Sequence, residues 1–200
     1  MKSNIHNNYQ YEKTIFEKTD FKENIIKNST FEECKFNNID FSESTFINCK
    51  FTDCHFTESN LSLCKFTNSR FENMKFENCK IIGINWTLLN WENVISPSPM
   101  SFKSCNISYS SFMSLELRNL SITECEIYEV DFTESDLHGT DFTKSDLNGS
   151  RFQNTNLENC NFSDSINYNI NPNENKIKGA KFSIPDVLNL LNPFKIHLNK

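Results

Sequence analysis

The sequence predicts a solenoid, a rod in which short repeated units stack on one another. A large apolar residue returns at every fifth position from Phe16 to Trp91, and again from Phe102 to Phe162. This period fits neither the 3.6-residue period of an α-helix nor the two-residue period of a β-strand. Two positions before the large residue stands Cys or Ser in most units, and the remaining positions are mostly polar. A short, fixed period of this kind indicates a repeat architecture.

The composition agrees with a narrow, Phe-rich interior under a polar surface. The chain has 200 residues, 37% of them hydrophobic and 19 of them Phe, with a mean hydropathy of −0.55. A net charge of −6 argues against direct binding to nucleic acid, because such proteins are usually basic. The first residues lack the apolar segment of a signal peptide, and no apolar run is long enough to span a membrane. We therefore expect a cytoplasmic protein without membrane contact.

The repeats divide the chain into three regions. Residues 1–13 form a polar lead-in and cap. The repeat region covers 14–165, as one segment over 14–91 and a second over 102–165. Residues 166–200 have a different composition and form a C-terminal module.

The repeat register slips once, within residues 92–101. Trp91 and Phe102 are eleven positions apart, which is two repeats plus one residue, and the intervening segment contains Pro97 and Pro99. Proline lacks the N–H group that a β-ladder needs. The segment is either a bulge or hinge between two rod segments, or a harmless one-residue insertion.

The repeating unit resembles A-[DN]-[LF]-x-x, the unit of the pentapeptide-repeat family, over about residues 14–164. The resemblance implies an all-β protein, a right-handed quadrilateral parallel β-helix in which four units make one square coil. Residues twenty positions apart would then stack, and stacked aromatic rings attract one another. The residues expected in the core columns are Phe16, Phe36, Phe56, Phe76, Trp86, Trp91, Phe132, Phe142 and Phe152.

The C-terminal module predicts one short helix. Ser183 and Asp186 resemble a capping box, and Pro185 suits a first helical turn. The helix is expected around residues 185–192, and residues 194–198 could form a closing strand.

This module either caps the rod or joins two rods. A solenoid needs a cap because its last coil exposes an apolar cross-section. Qnr-type members of the family, which the sequence resembles, end in a similar helix and strand and dimerise through them. The resemblance therefore implies a homodimer, and the expected interface residues are Leu188, Leu191, Phe194 and Ile196.

Residues that could carry chemistry are scattered. All eight Cys stand at the small inward position of a repeat, and no C-x-x-C pair occurs. We expect them to be buried, reduced thiols. The four His are dispersed, and no nucleotide-binding or hydrolase motif is present. The sequence therefore predicts no catalytic residue, no metal site and no cofactor.

Acidic residues are concentrated in the second repeat segment, above all from Glu124 to Asp146, where Lys144 is the one basic residue. The candidate partner-binding residues are Glu124, Glu126, Glu129, Asp131, Glu134, Asp136, Asp141 and Asp146. The aspartates have an alternative, structural interpretation. Asp is the usual residue before the large one, where its carboxylate can accept hydrogen bonds from turn amides. The glutamates are therefore the better candidates.

The resemblance implies one function and leaves another open. Qnr-type quinolone-resistance proteins and some self-immunity relatives are dimeric rods that present acid to the basic DNA-binding saddle of bacterial type II topoisomerases. This chain would then be a non-catalytic DNA mimic toward DNA gyrase or topoisomerase IV, giving quinolone or toxin protection. It departs from many Qnr proteins because it lacks their two long loops. The alternatives are a scaffolding solenoid with another protein partner and, much less favoured, a catalytic protein.

Overall fold

The chain winds into stacked square coils. A computed structural model describes residues 5–92 and 98–196. Over these residues the chain forms a right-handed quadrilateral β-helix of about eight turns, which confirms the predicted fold class. All strand pairs are parallel and join one coil to the next. The backbone ladder between coils is regular, as in the bonds from Lys35 N to Thr14 O and from His55 N to Cys34 O, at 2.9 and 3.0 Å.

The regular elements are short. The strands are β1 Gln10–Glu12, β2 Ile15–Glu17, β3 Ile25–Lys27, β4 Thr30–Glu32, β5 Lys35–Asn37, β6 Thr45–Ile47, β7 Lys50–Thr52, β8 His55–Thr57, β9 Lys65–Thr67, β10 Arg70–Glu72, β11 Met74–Glu77, β12 Met100–Lys103, β13 Ser121–Thr123, β14 Asn161–Phe162 and β15 Lys181–Phe182. The described parts of the chain contain two 3₁₀ helices, at Trp86–Leu88 and Asp186–Phe194. The spacing of the repeat does not predict the first of these helices.

The strands define the sides of the coil, here called faces 1 to 4 in the order in which the chain meets them. Face 1 contains β1, β4, β7 and β10. Face 2 contains β2, β5, β8, β11, β12 and β13, with β14 and β15 above them, and face 4 contains β3, β6 and β9. On face 3, within the described ranges, single bridges replace strands, for example Asp20 to Asp40 and Glu126 to Asp146.

One residue with a left-handed backbone turns most of the described corners. Asn28, Asn48 and Asn68 are examples, with φ of 51°, 53° and 49°. Asn tolerates this conformation better than most residues with a side chain. The Asn side chains also form a ladder, since Asn28 Nδ2 donates to Asn8 Oδ1 at 2.9 Å and Asn68 Nδ2 donates to Asn48 Oδ1 at 2.8 Å. The corner geometry is thus stabilised from coil to coil.

Aromatic columns fill the interior. On face 2, Phe36 lies between Phe16 and Phe56, with ring centroids 4.9 and 4.3 Å away and the rings nearly parallel. Eight of the predicted core residues are at most 2% exposed: Phe16, Phe36, Phe56, Phe76, Trp86, Phe132, Phe142 and Phe152.

Trp91 departs from its predicted place in a buried column. Its side chain is only partly buried at the edge of the core, and its indole N–H donates to the Trp86 carbonyl at 3.0 Å. The 3₁₀ helix at Trp86–Leu88 tightens the chain just before this position. The Phe71 ring instead has Trp86 as a neighbour, with centroids 6.0 Å apart.

The register slip is absorbed within one enlarged coil. Phe102 pairs with Phe76, and the amide of Cys79 donates to the Sγ of Cys105, 26 residues further on. Face 2 therefore continues unbroken through the slip, which favours an insertion over a hinge. Pro99 joins the ladder through its carbonyl, which accepts from Met74 N at 2.9 Å. Pro97 lies outside the described residues.

The coils extend beyond the predicted repeat bounds in both directions. Tyr11, placed in the lead-in by the sequence, lies in β1, and its ring stacks on Phe31 at 5.2 Å. At the other end β14 pairs with β15, and Phe162 stacks on Phe182 at 5.1 Å. The sequence signal weakens at both ends because the five-residue spacing is no longer kept by Phe and Leu.

The C-terminal helix forms near its predicted place, but the capping-box interpretation of Ser183 and Asp186 is wrong. The helix cap is Pro185, without a side-chain hydrogen bond. Ser183 Oγ instead accepts from Asp164 N at 3.0 Å, and Asp186 Oδ1 accepts from Asn167 N at 3.3 Å. Both side chains therefore attach the module to the last coil.

The proposed closing strand over 194–198 is not formed where it is described. Phe194 ends the 3₁₀ helix and Lys195 is left-handed, with φ of 52°. Residues 197–198 lie outside the described residues.

The inward orientation predicted for the cysteines is confirmed, because all eight are buried. Several donate to backbone carbonyls of the preceding coil, as Cys64 Sγ does to Phe41 O at 2.9 Å. Burial also raises the pKa of the Cys160 thiol to about 12.

We expect the native protein to react slowly with a thiol reagent, because all eight cysteines are buried and the reagent cannot reach their sulfur atoms. All eight cysteines should react after denaturation, as counted by mass spectrometry. Rapid labelling of more than two cysteines in the native state would contradict this prediction.

Candidate protein-binding surface

The eight acidic candidates surround the rod instead of forming one stripe. They lie within 23 residues of sequence, slightly more than one coil. Asp141 lies on face 2, Glu126 and Asp146 on face 3, Asp131 on face 4 and Asp136 on face 1, as the bridges on each face show. The other three occupy left-handed corners: Glu124, Glu129 and Glu134.

The four aspartates stabilise the turns. In each, Oδ1 accepts a hydrogen bond from the backbone amide two residues later, at 3.0 to 3.2 Å. These residues are Asp131, Asp136, Asp141 and Asp146. All four are half-buried, and the structure supplies the hydrogen bonds that their alternative, structural interpretation requires.

Two of these aspartates are also paired with arginines. Asp131 lies 2.8 Å from Arg151, and Asp136 lies 2.6 Å from Arg118. Burial disfavours the charged form of Asp131, but hydrogen bonds from Thr133 and the nearby Arg151 outweigh it, so its pKa is lowered. Sequence reasoning missed these pairs, although a separation of twenty residues, as between Asp131 and Arg151, predicts stacking.

The four glutamates are more available. Glu124, Glu126, Glu129 and Glu134 are all exposed, and no ion pair among the described residues involves them. Each instead contacts a polar or small neighbour one coil away. Ser104 donates to Glu124 and Ser114 to Glu134, Asn106 donates to Glu126, and the Glu129 carboxylate lies over Gly149.

Four acidic residues that make no ion pair in the described parts of the chain lie on face 3 and at its corners, with Lys144 following Glu124 in one corner column. Glu126 and Asp146 stack on adjacent coils, and Glu124 and Glu129 occupy the two corners of the same face. Tyr128 lies between them. Its pKa is raised, first by burial and then by the carboxylates of Asp146 and Glu126. We call Glu124, Glu126, Glu129 and Asp146 the acidic patch.

The predicted interface residues of the C-terminal module are largely uncovered. Leu188, Phe194 and Ile196 are 45%, 49% and 54% exposed, and Leu191 is half-buried. Leu190, on the other side of the helix, packs against the core. The module thus closes the last coil with one side and leaves the other side apolar and open.

The described residues offer no further chemical centre. No group of three or more His, Cys, Asp or Glu within 5–92 and 98–196 has the geometry to hold a metal ion. No helix there is long and apolar enough to cross a membrane.

Comparisons with known proteins agree with this architecture. The sequence model described as "Pentapeptide repeat region" matches residues 4–74, 29–95 and 98–162. Curated protein sequences include no significant match.

Solved structures of the same shape are distant in sequence. A trypsin-treated form of QnrB1, a plasmid-mediated fluoroquinolone resistance protein, is 19% identical, with a TM-score of 0.55 over 97% of this chain and 99% of its own. HetL, involved in heterocyst differentiation regulation in the cyanobacterium Nostoc, is 12% identical, with a TM-score of 0.55 over 88% of this chain and 87% of its own. Full-length QnrB1 is 17% identical, with a TM-score of 0.52 over 96% and 92%.

Proposed function

The chain belongs to the pentapeptide-repeat family, and we propose that it is a non-catalytic, cytoplasmic DNA mimic that binds a type II topoisomerase, DNA gyrase or topoisomerase IV. The acidic patch on face 3 is the observation that carries this proposal. A rod with stacked, unpaired carboxylates on one face offers a basic DNA-binding surface a substitute for a line of phosphates. Quinolone or toxin protection would follow from occupying that surface.

The arrangement of charge suits association guided by long-range electrostatics. Successive coils place carboxylates about 4.8 Å apart along the rod. The three glutamates of the acidic patch are exposed and Asp146 is half-buried, and the arginine pairs lie at Asp131 and Asp136 on other faces. Such a field raises association rates and is screened by salt. Binding should therefore weaken steeply as ionic strength increases.

The proposal is tested by titrating the protein into gyrase supercoiling and drug-cleavage assays, with and without ciprofloxacin, at low salt. We expect inhibited supercoiling or reduced drug-induced cleavage, and loss of the effect at high salt. If the protein at tens of micromolar neither binds gyrase and topoisomerase IV nor changes either reaction, the DNA-mimic function is wrong.

A C-terminal homodimer would double the length of the rod and place an acidic patch on each side of its centre. The apolar, exposed side of the 3₁₀ helix at Asp186–Phe194 supports it. Large uncovered apolar patches usually mark interfaces. The alternative is that the module only caps the last coil.

We expect Leu188→Asp to give a monomer whose repeat region remains folded, because it places a charge in the apolar surface without touching the coils. Light scattering would measure the mass and circular dichroism the fold. Asn192→Asp, which adds the same charge at another exposed position of the helix, should remain dimeric. A wild-type monomer at micromolar concentration would contradict the dimer.

A scaffolding solenoid with another protein partner is the second candidate. It is favoured by HetL, which has the same TM-score of 0.55 and is involved in heterocyst differentiation regulation, and by the turn-stabilising role of the half-buried aspartates. Under this alternative the topoisomerase assays show no effect, and a pull-down from the source cell identifies the partner.

A further inference from the structure

Four large apolar side chains are exposed together halfway along the rod. Leu63, Leu88, Tyr109 and Met113 are 54%, 39%, 65% and 42% exposed. They lie on face 4 and at its corners, on and beside the enlarged coil. Other exposed apolar side chains of the coils lie toward the N-terminus, such as Ile15 and Ile25, or beside the C-terminal module. We call the four residues the apolar patch.

The backbone register explains how the patch forms. Leu63 leans over Gly83, where its Cδ2 lies 2.7 Å from the position a Cβ would take. Tyr109 follows Gly83 in the same corner column, since Gly83 N donates to Ser108 O at 2.9 Å. Glycine at this position therefore leaves the space that Leu63 covers.

The second half of the patch depends on the first 3₁₀ helix. This helix turns Leu88 toward Leu63, and both residues line a groove of about 550 Å³ together with Glu43, Cys64, Lys65, Gly83 and Asn85. The bridge between Asn85 and Ser111 then places Met113 beside the helix. The groove is open to solvent along face 4.

Charge around the patch is asymmetric. Glu129 follows Tyr109 in the same column, one coil further on, because Tyr109 N donates to Tyr128 O at 2.8 Å. Glu126 lies beside it on face 3 and Glu134 at the next corner. At the opposite end Lys65 is exposed with Glu43 nearby. A ligand that covers the apolar side chains therefore also meets carboxylates without an ion pair, which lie on the side of the patch nearer the C-terminal end of the rod.

We propose that the apolar patch anchors a basic, amphipathic segment of a protein partner, with aliphatic side chains over Leu63, Leu88 and Tyr109 and Lys or Arg beside Glu129. Charge complementarity identifies the occupant, because a purely apolar segment would leave these carboxylates unused. The inference goes beyond mimicry of DNA, whose phosphates offer no apolar contact of this kind. It does not require the partner to be a topoisomerase.

The test compares two labelled peptides of equal charge. One is an amphipathic helix of about 18 residues with Leu on one face and Lys on the other. In the second peptide Ser replaces every Leu. We expect the wild-type protein to bind the Leu-containing peptide about tenfold more tightly, measured by fluorescence anisotropy.

Two variants locate the site. Leu63→Asn with Tyr109→Asn removes two apolar groups at positions with φ of 60° and 59°, a conformation that Asn accepts, so the fold should persist. Met113→Gln is a second variant that leaves both corners unchanged. Each variant should reduce the preference for the Leu-containing peptide. The double variant should bind the two peptides with about equal affinity. The matched control is Ile15→Thr with Ile25→Thr, which removes exposed apolar groups from β2 and β3 and should keep the full preference.

Three results would overturn the proposal: equal affinity of the wild type for both peptides, a double variant that keeps the preference, or a control that loses it equally. The topoisomerase assays fail or succeed independently of this preference. A peptide preference without any effect on gyrase would leave the anchor standing and remove the DNA mimic.

Discussion

Phe56→Asp is expected to prevent the chain from folding. Phe56 is 1% exposed, and its ring stacks between Phe36 and Phe76 at 4.3 and 5.2 Å. Removing a buried Phe side chain costs about 3–5 kcal/mol. An unpaired buried carboxylate adds several kcal/mol more. The sum approaches the free energy of unfolding of most domains, which is about 5–15 kcal/mol.

The cost should be amplified by the solenoid geometry. Each coil contacts only its neighbours, so a charge in the middle of the column separates the coils below it from those above. Circular dichroism and thermal unfolding would measure the loss. Lys75→Asp is the matched control, because it also introduces Asp, but at an exposed position of β11, the strand stacked on β8. This variant should unfold within about 2 °C of wild type. A Phe56→Asp protein that melts like wild type would show that the column is assigned wrongly.

Changing Glu124, Glu126, Glu129 and Glu134 to Gln is expected to abolish binding to gyrase while leaving the fold intact. The four side chains are exposed and make no ion pair within the described part of the chain, so folding does not depend on their charge. Partner contacts of roughly 1 kcal/mol each would, when lost together, weaken binding on the order of 100-fold or more. Titration calorimetry at low salt would measure the affinity, and thermal unfolding the fold.

The control for this experiment has the same net charge as the variant with four glutamates changed to Gln. Changing Glu17, Glu32, Glu33 and Glu58 to Gln removes the same four charges from exposed positions in the first repeat segment. If both variants lose affinity equally, binding depends only on net charge and these four glutamates have no special role. If neither loses affinity, the glutamates are not the contacts.

Much of the fold was accessible from spacing alone, because every coil imposes the same requirement on its residues. Only one large and one small residue of each five can point inward, so the periodicity by itself identifies Phe36, Phe56 and Phe142 as core residues. The predictions were wrong where the chain departs from the five-residue repeat. Trp91 precedes the insertion, and Ser183 and Asp186 bind the coil beneath instead of their own helix.

The grouping of residues on the surface was less predictable, because residues that are close in sequence can lie on different faces of the rod. A run of acidic residues slightly longer than one coil is distributed over all four faces. Whether a carboxylate is free depends on residues one coil away, such as Arg151 above Asp131 and Arg118 beside Asp136. The apolar patch was visible in principle, since Leu63 and Tyr109 stand at outward positions of their repeats. Its coherence depends on the 3₁₀ helix that brings Leu88 to Leu63, and the five-residue pattern does not predict that helix.

The enlarged coil contains more residues than the other coils but does not make the rod longer. Phe76 and Phe102 stack at 5.2 Å, the same spacing as Phe56 and Phe76, although six more residues intervene. Extra residues within one coil therefore add no height, and every coil above keeps its place. A coil that accepts extra residues in this way is where new recognition loops can be gained, lengthened or lost by insertions and deletions while the core remains unchanged. Members of one family can thus diverge in what they bind long before they diverge in shape.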